Sequence, residues 1–210
     1  MNLKLHPLWA CALAALLCSC AATSVKKTWK APDCSSPVGK VAVLTIANRG
    51  LLRQGFENRF VATLAKSGAS ALVTYDQLSL AEIKQDKRAA ADRFRASGAE
   101  ALIIVRLVDV GSSYHEVRSS GERYEATITR IETTPWFDYF SIGFSDMSPT
   151  YASLKQWVYL ETNLYDLKTE KCLWSGLTET VVTENMDRVA EMDPLVEKIV
   201  TAMRKDGVTR

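Results

Sequence analysis

Histidine is scarce: the 210 residues hold two, His6 and His115. No Cys-x-x-Cys pair occurs among the five cysteines, and no second histidine stands near His115. A zinc site or a Ser-His-Asp triad would need imidazoles that are not there, so His115 reads as a surface residue of a polar loop. Glycine (10) and proline (6) are too few for a collagenous or low-complexity chain. No apolar run reaches the roughly eighteen residues that a membrane-spanning helix needs. Neither sign of charge dominates, with 26 basic against 24 acidic side chains and a net charge of +2. That balance gives no electrostatic footprint for nucleic acid. Nothing in the composition asks for a cofactor or a metal.

What is present begins at the amino terminus. Lys4 precedes an apolar stretch from Leu8 to Leu17, which is the pattern of a secretory signal. The segment ends Leu17-Cys18-Ser19-Cys20-Ala21, which resembles a bacterial lipobox. The resemblance implies cleavage after residue 19 and acylation of Cys20 on sulfur and amine, with palmitate-like chains. Several such chains anchor stably, because each buried methylene adds about 0.8 kcal/mol. Ala21 rather than Asp after Cys20 implies sorting to the outer membrane, with the domain in the periplasm. Removal of 1–19 takes Cys11 and Cys18 with it, leaving Cys34 and Cys172 as an even pair in an oxidising compartment, where a disulfide is expected.

Residues 20–38 read as the lipidated cysteine and a flexible tether, being rich in Lys, Pro and Ser. A single domain is expected over 39–207. Its first strand is Lys40–Ala47, a nearly continuous branched run suited to burial on both faces. Leu52, Phe56, Phe60 and Leu64 then recur every four residues, marking an amphipathic helix that leaves Arg53, Glu57 and Arg59 on the surface. Ala71–Tyr75 is a second strand, Asp86–Ala96 a second helix and Ala101–Val110 a third strand. The junction Ser67-Gly68-Ala69 is echoed by Ser97-Gly98-Ala99, so the same helix stop feeds a strand twice.

The texture changes over 111–155, an insertion. Tyr124–Ile131 reads as a strand by partial alternation. Trp136, Phe137, Tyr139, Phe140, Phe144 and Tyr151 crowd a stretch read as a loop, either a partner-binding surface or a cover that folds onto the sheet. Gln156–Asp166 and Lys171–Val182 form an antiparallel hairpin about a short polar turn, and Val189–Met203 closes the chain as a helix. The expected fold is α/β with an α+β tendency in its second half: a βαβαβ layer, a hairpin joining a mixed sheet, and a C-terminal helix.

Catalytic candidates are weak. Asn48-Arg49-Gly50 follows the first strand, but one glycine does not make a phosphate cradle. Asp138, Asp146, Glu161, Asp166 and Glu179 supply carboxylates whose spacing alone does not pair them, although Glu161 and Glu179 could face one another across the hairpin. A non-enzymatic role is expected.

The lipobox, the run Val-Ala-Val-Leu-Thr-Ile-Ala-Asn and the hairpin segment Leu-Tyr-Asp-Leu-Lys-Thr-Glu-Lys-Cys-Leu-Trp-Ser-Gly together resemble small bacterial outer-membrane lipoproteins. Their domain is similar to the TolB amino-terminal or CsgG-like α/β fold. The resemblance covers about 40–110 and 157–207. It implies an envelope component that assists assembly or transport, oligomeric as in peripheral export rings and binding an envelope protein. A monomeric tethered binder or activator of a cell-wall enzyme, or of a small ligand, is the alternative, and an acid/base hydrolase stands behind both. Unlike curli-type secretion pores, this sequence has no paired membrane-spanning hairpins.

Overall fold

The computed structural model describes residues 22–47, 49–111, 133–145, 155–183 and 192–210. Cys20, Asn48, His115, Asp146, Tyr151 and the strand expected at 124–131 lie outside them. Among the described residues, six strands form one mixed sheet: β1 (Ala22–Lys30), β2 (Val41–Ile46), β3 (Ala71–Val73), β4 (Ala101–Gly111), β5 (Lys155–Asp166) and β6 (Cys172–Thr183), in the spatial order β1-β6-β5-β4-β2-β3. The α/β architecture read from the sequence is the one observed.

β2 is the hub. Its six residues are all buried, as its unbroken apolar run requires. It pairs in parallel with β3 on one side and β4 on the other, while β4, β5, β6 and β1 run antiparallel in succession. Successive residues point to opposite faces. Val41 and Val43 meet Phe56, Phe60 and Leu64 of α1 (Gly50–Lys66) and Leu195, Ile199 and Met203 of α5 (Met192–Lys205). On the other face Ala42, Leu44 and Ile46 meet Ile83 of α2 (Leu80–Gln85), Phe94 of α3 (Lys87–Ala96), and Trp136 and Phe140 of α4 (Trp136–Ser145). Helices therefore cover both faces of the sheet.

The repeated helix stop is a Schellman turn. Gly68 and Gly98 sit at φ +84° and +83°, where a side chain would be strained. In each turn the following alanine donates five residues back, Ala69 to the Leu64 carbonyl and Ala99 to that of Phe94. The same turn recurs at the end of α5, where Val208 donates to the Met203 carbonyl. Ser79 opens α2 with a capping box closed by Glu82.

The expectation of a tether over 20–38 is corrected by β1. Residues 22–30 pair with β6 from Ala22–Val181 to Lys30–Trp174, and Ala31 and Cys34 beyond them are buried. Lysines hid the strand. Along β1 only Thr23, Val25, Thr28 and Trp29 are branched or aromatic, and Lys26, Lys27 and Thr28 are exposed, which suits an edge strand. A bulge between Val25 and Lys27 further breaks the alternation.

Candidate functional site

Two polar clusters are built into the domain, and sequence periodicity pointed to neither. The first is in α1. Glu57, placed on the surface by periodicity, is 0% exposed, and Arg53 is buried beside it. Glu57 Oε1 accepts the Thr45 amide at 3.1 Å and Arg53 Nε at 2.7 Å. Its Oε2 accepts the Thr74 amide at 2.7 Å and the Tyr75 amide at 2.9 Å. Arg53 in turn donates through Nη1 to the Leu78 carbonyl and through Nη2 to Thr74 Oγ1. One carboxylate thus satisfies backbone donors near the ends of β2 and β3, so the buried charge is fully solvated by protein.

Beside this clamp a cavity of about 430 Å³ opens at the carboxyl ends of β2 and β3, lined in part by Gly50, Arg53, Gln54, Tyr75, Asp76 and Gln77. Open α/β sheets commonly take ligands at such ends. Much of the lining is already committed: Gln77 Nε2 donates to the Val73 carbonyl, its Oε1 accepts from Ser97, and the Tyr75 hydroxyl donates to Asn58.

The second cluster lies between the sheet and α4. Arg106 on β4 stands opposite Glu161 on β5, with Nη2 3.0 Å and Nε 3.1 Å from Glu161 Oε2. Tyr139 of α4 donates its hydroxyl to the same oxygen at 2.6 Å and accepts from Arg106 Nε at 2.7 Å. The Arg106 guanidinium also lies 4.4 Å from the centre of the Tyr139 ring. Burial works against the Arg106 charge, but Tyr139 and Glu161 together outweigh it and hold the guanidinium pKa above its ordinary value. Burial, reinforced by the Glu161 carboxylate, drives the Tyr139 hydroxyl well above the usual tyrosine range; burial followed by Cys172 does the same for Tyr165. Both phenols therefore stay protonated at neutral pH and are not bases.

The aromatic stretch is helical rather than a loop, and of its two readings the described residues take the second, a cover folded onto the sheet. Trp136, Tyr139 and Phe140 occupy helical positions i, i+3 and i+4 and are at most 2% exposed, so they are core. Phe137 is half-buried against them, 5.6 Å from the Trp136 ring centre to centre. The Phe144 side chain lies outside the described set. Asp138 is exposed in the first turn of α4, and Asp166 caps the hairpin turn through the Lys168 and Thr169 amides.

The Cys34–Cys172 disulfide is likewise corrected. Both are free and buried, Cys34 in the core under α1 and α5 and Cys172 in the core on the opposite face. Burial pushes both thiols up in pKa, which makes them inert rather than nucleophilic. Glu161 and Glu179 do share a face, but each has its own partners. Glu179 accepts from the Tyr159 hydroxyl at 2.5 Å and pairs with Lys26 at 3.0 Å. Among the described residues no three His, Cys, Asp or Glu side chains gather as metal ligands, and no helix is long and apolar enough to cross a membrane.

The two ends of the sheet differ. Ala22, Val181, Trp157 and Gly111 form one row across β1, β6, β5 and β4. The chain enters the sheet at this end from Cys20, leaves it after Gly111 and Thr183, and re-enters at Lys155. The opposite end holds the helix stops and the hairpin turn.

No protein-family model matches the chain, and no curated protein matches it. Among solved structures it is similar to a PelC dodecamer from Paraburkholderia phytofirmans, with 10% identity and a TM-score of 0.49 over 90% of this chain and 99% of that one. It is also similar to lipoprotein GNA1162 from Neisseria meningitidis, with 14% identity and a TM-score of 0.39 over 80% and 99%. At these identities and scores the likeness assigns neither fold nor function.

Proposed function

We propose that the chain is an outer-membrane lipoprotein, acylated at Cys20, whose periplasmic domain is a non-enzymatic accessory to assembly or transport in the cell envelope. The observation that carries this is the distance along the chain from the lipobox cysteine to the sheet: Ala22, two residues past Cys20, is already in β1. An eighteen-residue tether would reach up to about 60 Å, whereas two residues reach about 7 Å. The domain is then held against the bilayer by its own edge strand. The end of the sheet nearest the lipid is the one where residues 112–132, 146–154 and 184–191 attach. Such a mounting suits a component that meets partners at the membrane, and it argues against an activator reaching deep into the periplasm.

Three linked measurements test the reading. The amino-terminal peptide of protein purified from membranes carries the acyl mass on Cys20, and Cys20→Ala loses that mass and removes the protein from the outer-membrane fraction. Light scattering of the detergent-solubilised lipoprotein then gives a discrete multiple of the subunit mass if the accessory works as a ring. An unmodified Cys20, or a Cys20→Ala variant that still reaches the outer-membrane fraction, contradicts the anchor. A monomer contradicts the ring and leaves the membrane-proximal cavity near Arg53 as the surface to probe.

A further inference from the structure

Under α4 the β5 face carries Glu161, Asn163 and Tyr165, alternate residues that point the same way. None is more than 1% exposed. On the β4 side the same face is filled by Leu44, Ile104 and Leu102, with Ile104 directly opposite Asn163, while on the β6 side Asn163 stands opposite the buried Ser175. A leucine at 163 would continue that apolar layer, yet the chain places an amide there between a carboxylate and a phenol.

Among the described residues four polar atoms of this row have no hydrogen-bond partner: Glu161 Oε1, Asn163 Oδ1 and Nδ2, and the Tyr165 hydroxyl. The Asn163 amide lies near enough to the Tyr165 oxygen to favour its ionised form, the weakest of the effects on that group, but not in hydrogen-bonding geometry. Folded proteins rarely leave one such atom unpaired in the interior, and four along one strand call for a polar guest.

We propose that Glu161, Asn163 and Tyr165 form an internal site for hydroxyl groups, occupied by ordered water or by a small neutral polyol. The atoms dictate that chemistry. Glu161 Oε1 and Asn163 Oδ1 need donors, Asn163 Nδ2 needs an acceptor, and Tyr165 takes either. A hydroxyl both donates and accepts. An anion would face the Glu161 carboxylate, and a cation would face Arg106, whose charge Glu161 already balances. The Tyr139 and Tyr165 rings pack together, 5.9 Å apart.

The test compares Asn163→Leu and Tyr165→Phe with the parent as full-length lipidated protein in detergent. With hydroxyl guests bound, each substitution breaks bonds to them and lowers Tm by about 3 °C or more. Were the row truly empty, each would delete orphaned polar atoms, and Tm would hold or rise; that result overturns the site. Tyr165→Phe removes a single oxygen and decides the matter should Asn163→Leu fail to fold. Native mass spectrometry of the parent then separates the guests. A retained adduct that Asn163→Leu loses identifies a polyol, and a bare mass together with lowered Tm identifies water.

Discussion

Glu57 on α1 accepts the backbone amide of Thr74 at 2.7 Å with one carboxylate oxygen while the other holds Arg53 and the Thr45 amide. This one buried side chain joins the helix to the ends of two parallel strands. Its removal strands both a guanidinium and backbone donors, which is the costly way to break a buried pair.

Glu57→Ala is therefore expected to lose about 3–5 kcal/mol, a fall of about 10 °C in Tm for a domain of this size. Many buried ion pairs can be exchanged for apolar residues without loss, but this one cannot. The double variant Arg53→Met with Glu57→Leu should stay well below the parent, because the Thr45, Thr74 and Tyr75 amides still lack an acceptor. Thermal melts of the three proteins check this.

The aromatic helix gives a second contrast. Phe140 is 0% exposed, so Phe140→Ala should cost about 3–5 kcal/mol. Leu51 is 85% exposed, and Leu51→Ala should change stability by no more than about 0.5 kcal/mol. Equal, small effects from both in denaturant titration would return α4 to the role of a surface element.

How far these features were legible in the sequence depends on how local their signals are. β2, the Gly68 and Gly98 turns and the β5–β6 hairpin were readable, because each rests on neighbouring residues. Trp136, Tyr139 and Phe140 already carried helical spacing, but Gly143 and the surrounding Ser and Asp residues suggested a loop. Arg53 and Glu57 were misplaced because periodicity assigns charge to solvent. Only the tertiary contact with Thr45 and Thr74 shows that they are solvated from within. β1 was missed because an edge strand needs few apolar residues, and its partner β6 lies about 150 residues away in sequence. The Arg106–Tyr139–Glu161 cluster joins three distant segments, so no local pattern could announce it.

The two thiols offer a direct chemical check. Cys34 and Cys172 belong to cores on opposite faces of the sheet, so the non-reduced protein should carry two titratable thiols after denaturation. In the native state Cys172, 3% exposed, should react with a thiol reagent only as fast as the domain opens. A non-reduced protein with no titratable thiol would show that the cysteines are bonded.

Alkaline pH should loosen the sheet–α4 contact. Tyr139 and Tyr165 have folded pKa values raised well above 10, so the folded state keeps protons that the unfolded chain releases. Their contribution to stability is complete below about pH 10 and is lost as pH rises through the folded values. In an ultraviolet titration of the seven tyrosines, these two should ionise only as the protein unfolds. Tyr165→Phe should flatten the decline of stability above pH 10. A reversible early titration of all seven in the folded state would contradict the burial.

Hydrogen exchange along β1 in the lipidated protein, held in a nanodisc, reaches the centre of the account. If the sheet begins two residues after the acylated cysteine, the Thr23–Trp29 amides that face β6 are protected about as strongly as their partners from Ser175 to Thr180. Exchange of all these amides at free-chain rates would make residues 22–30 a loose leash and would contradict a domain mounted flush on the membrane.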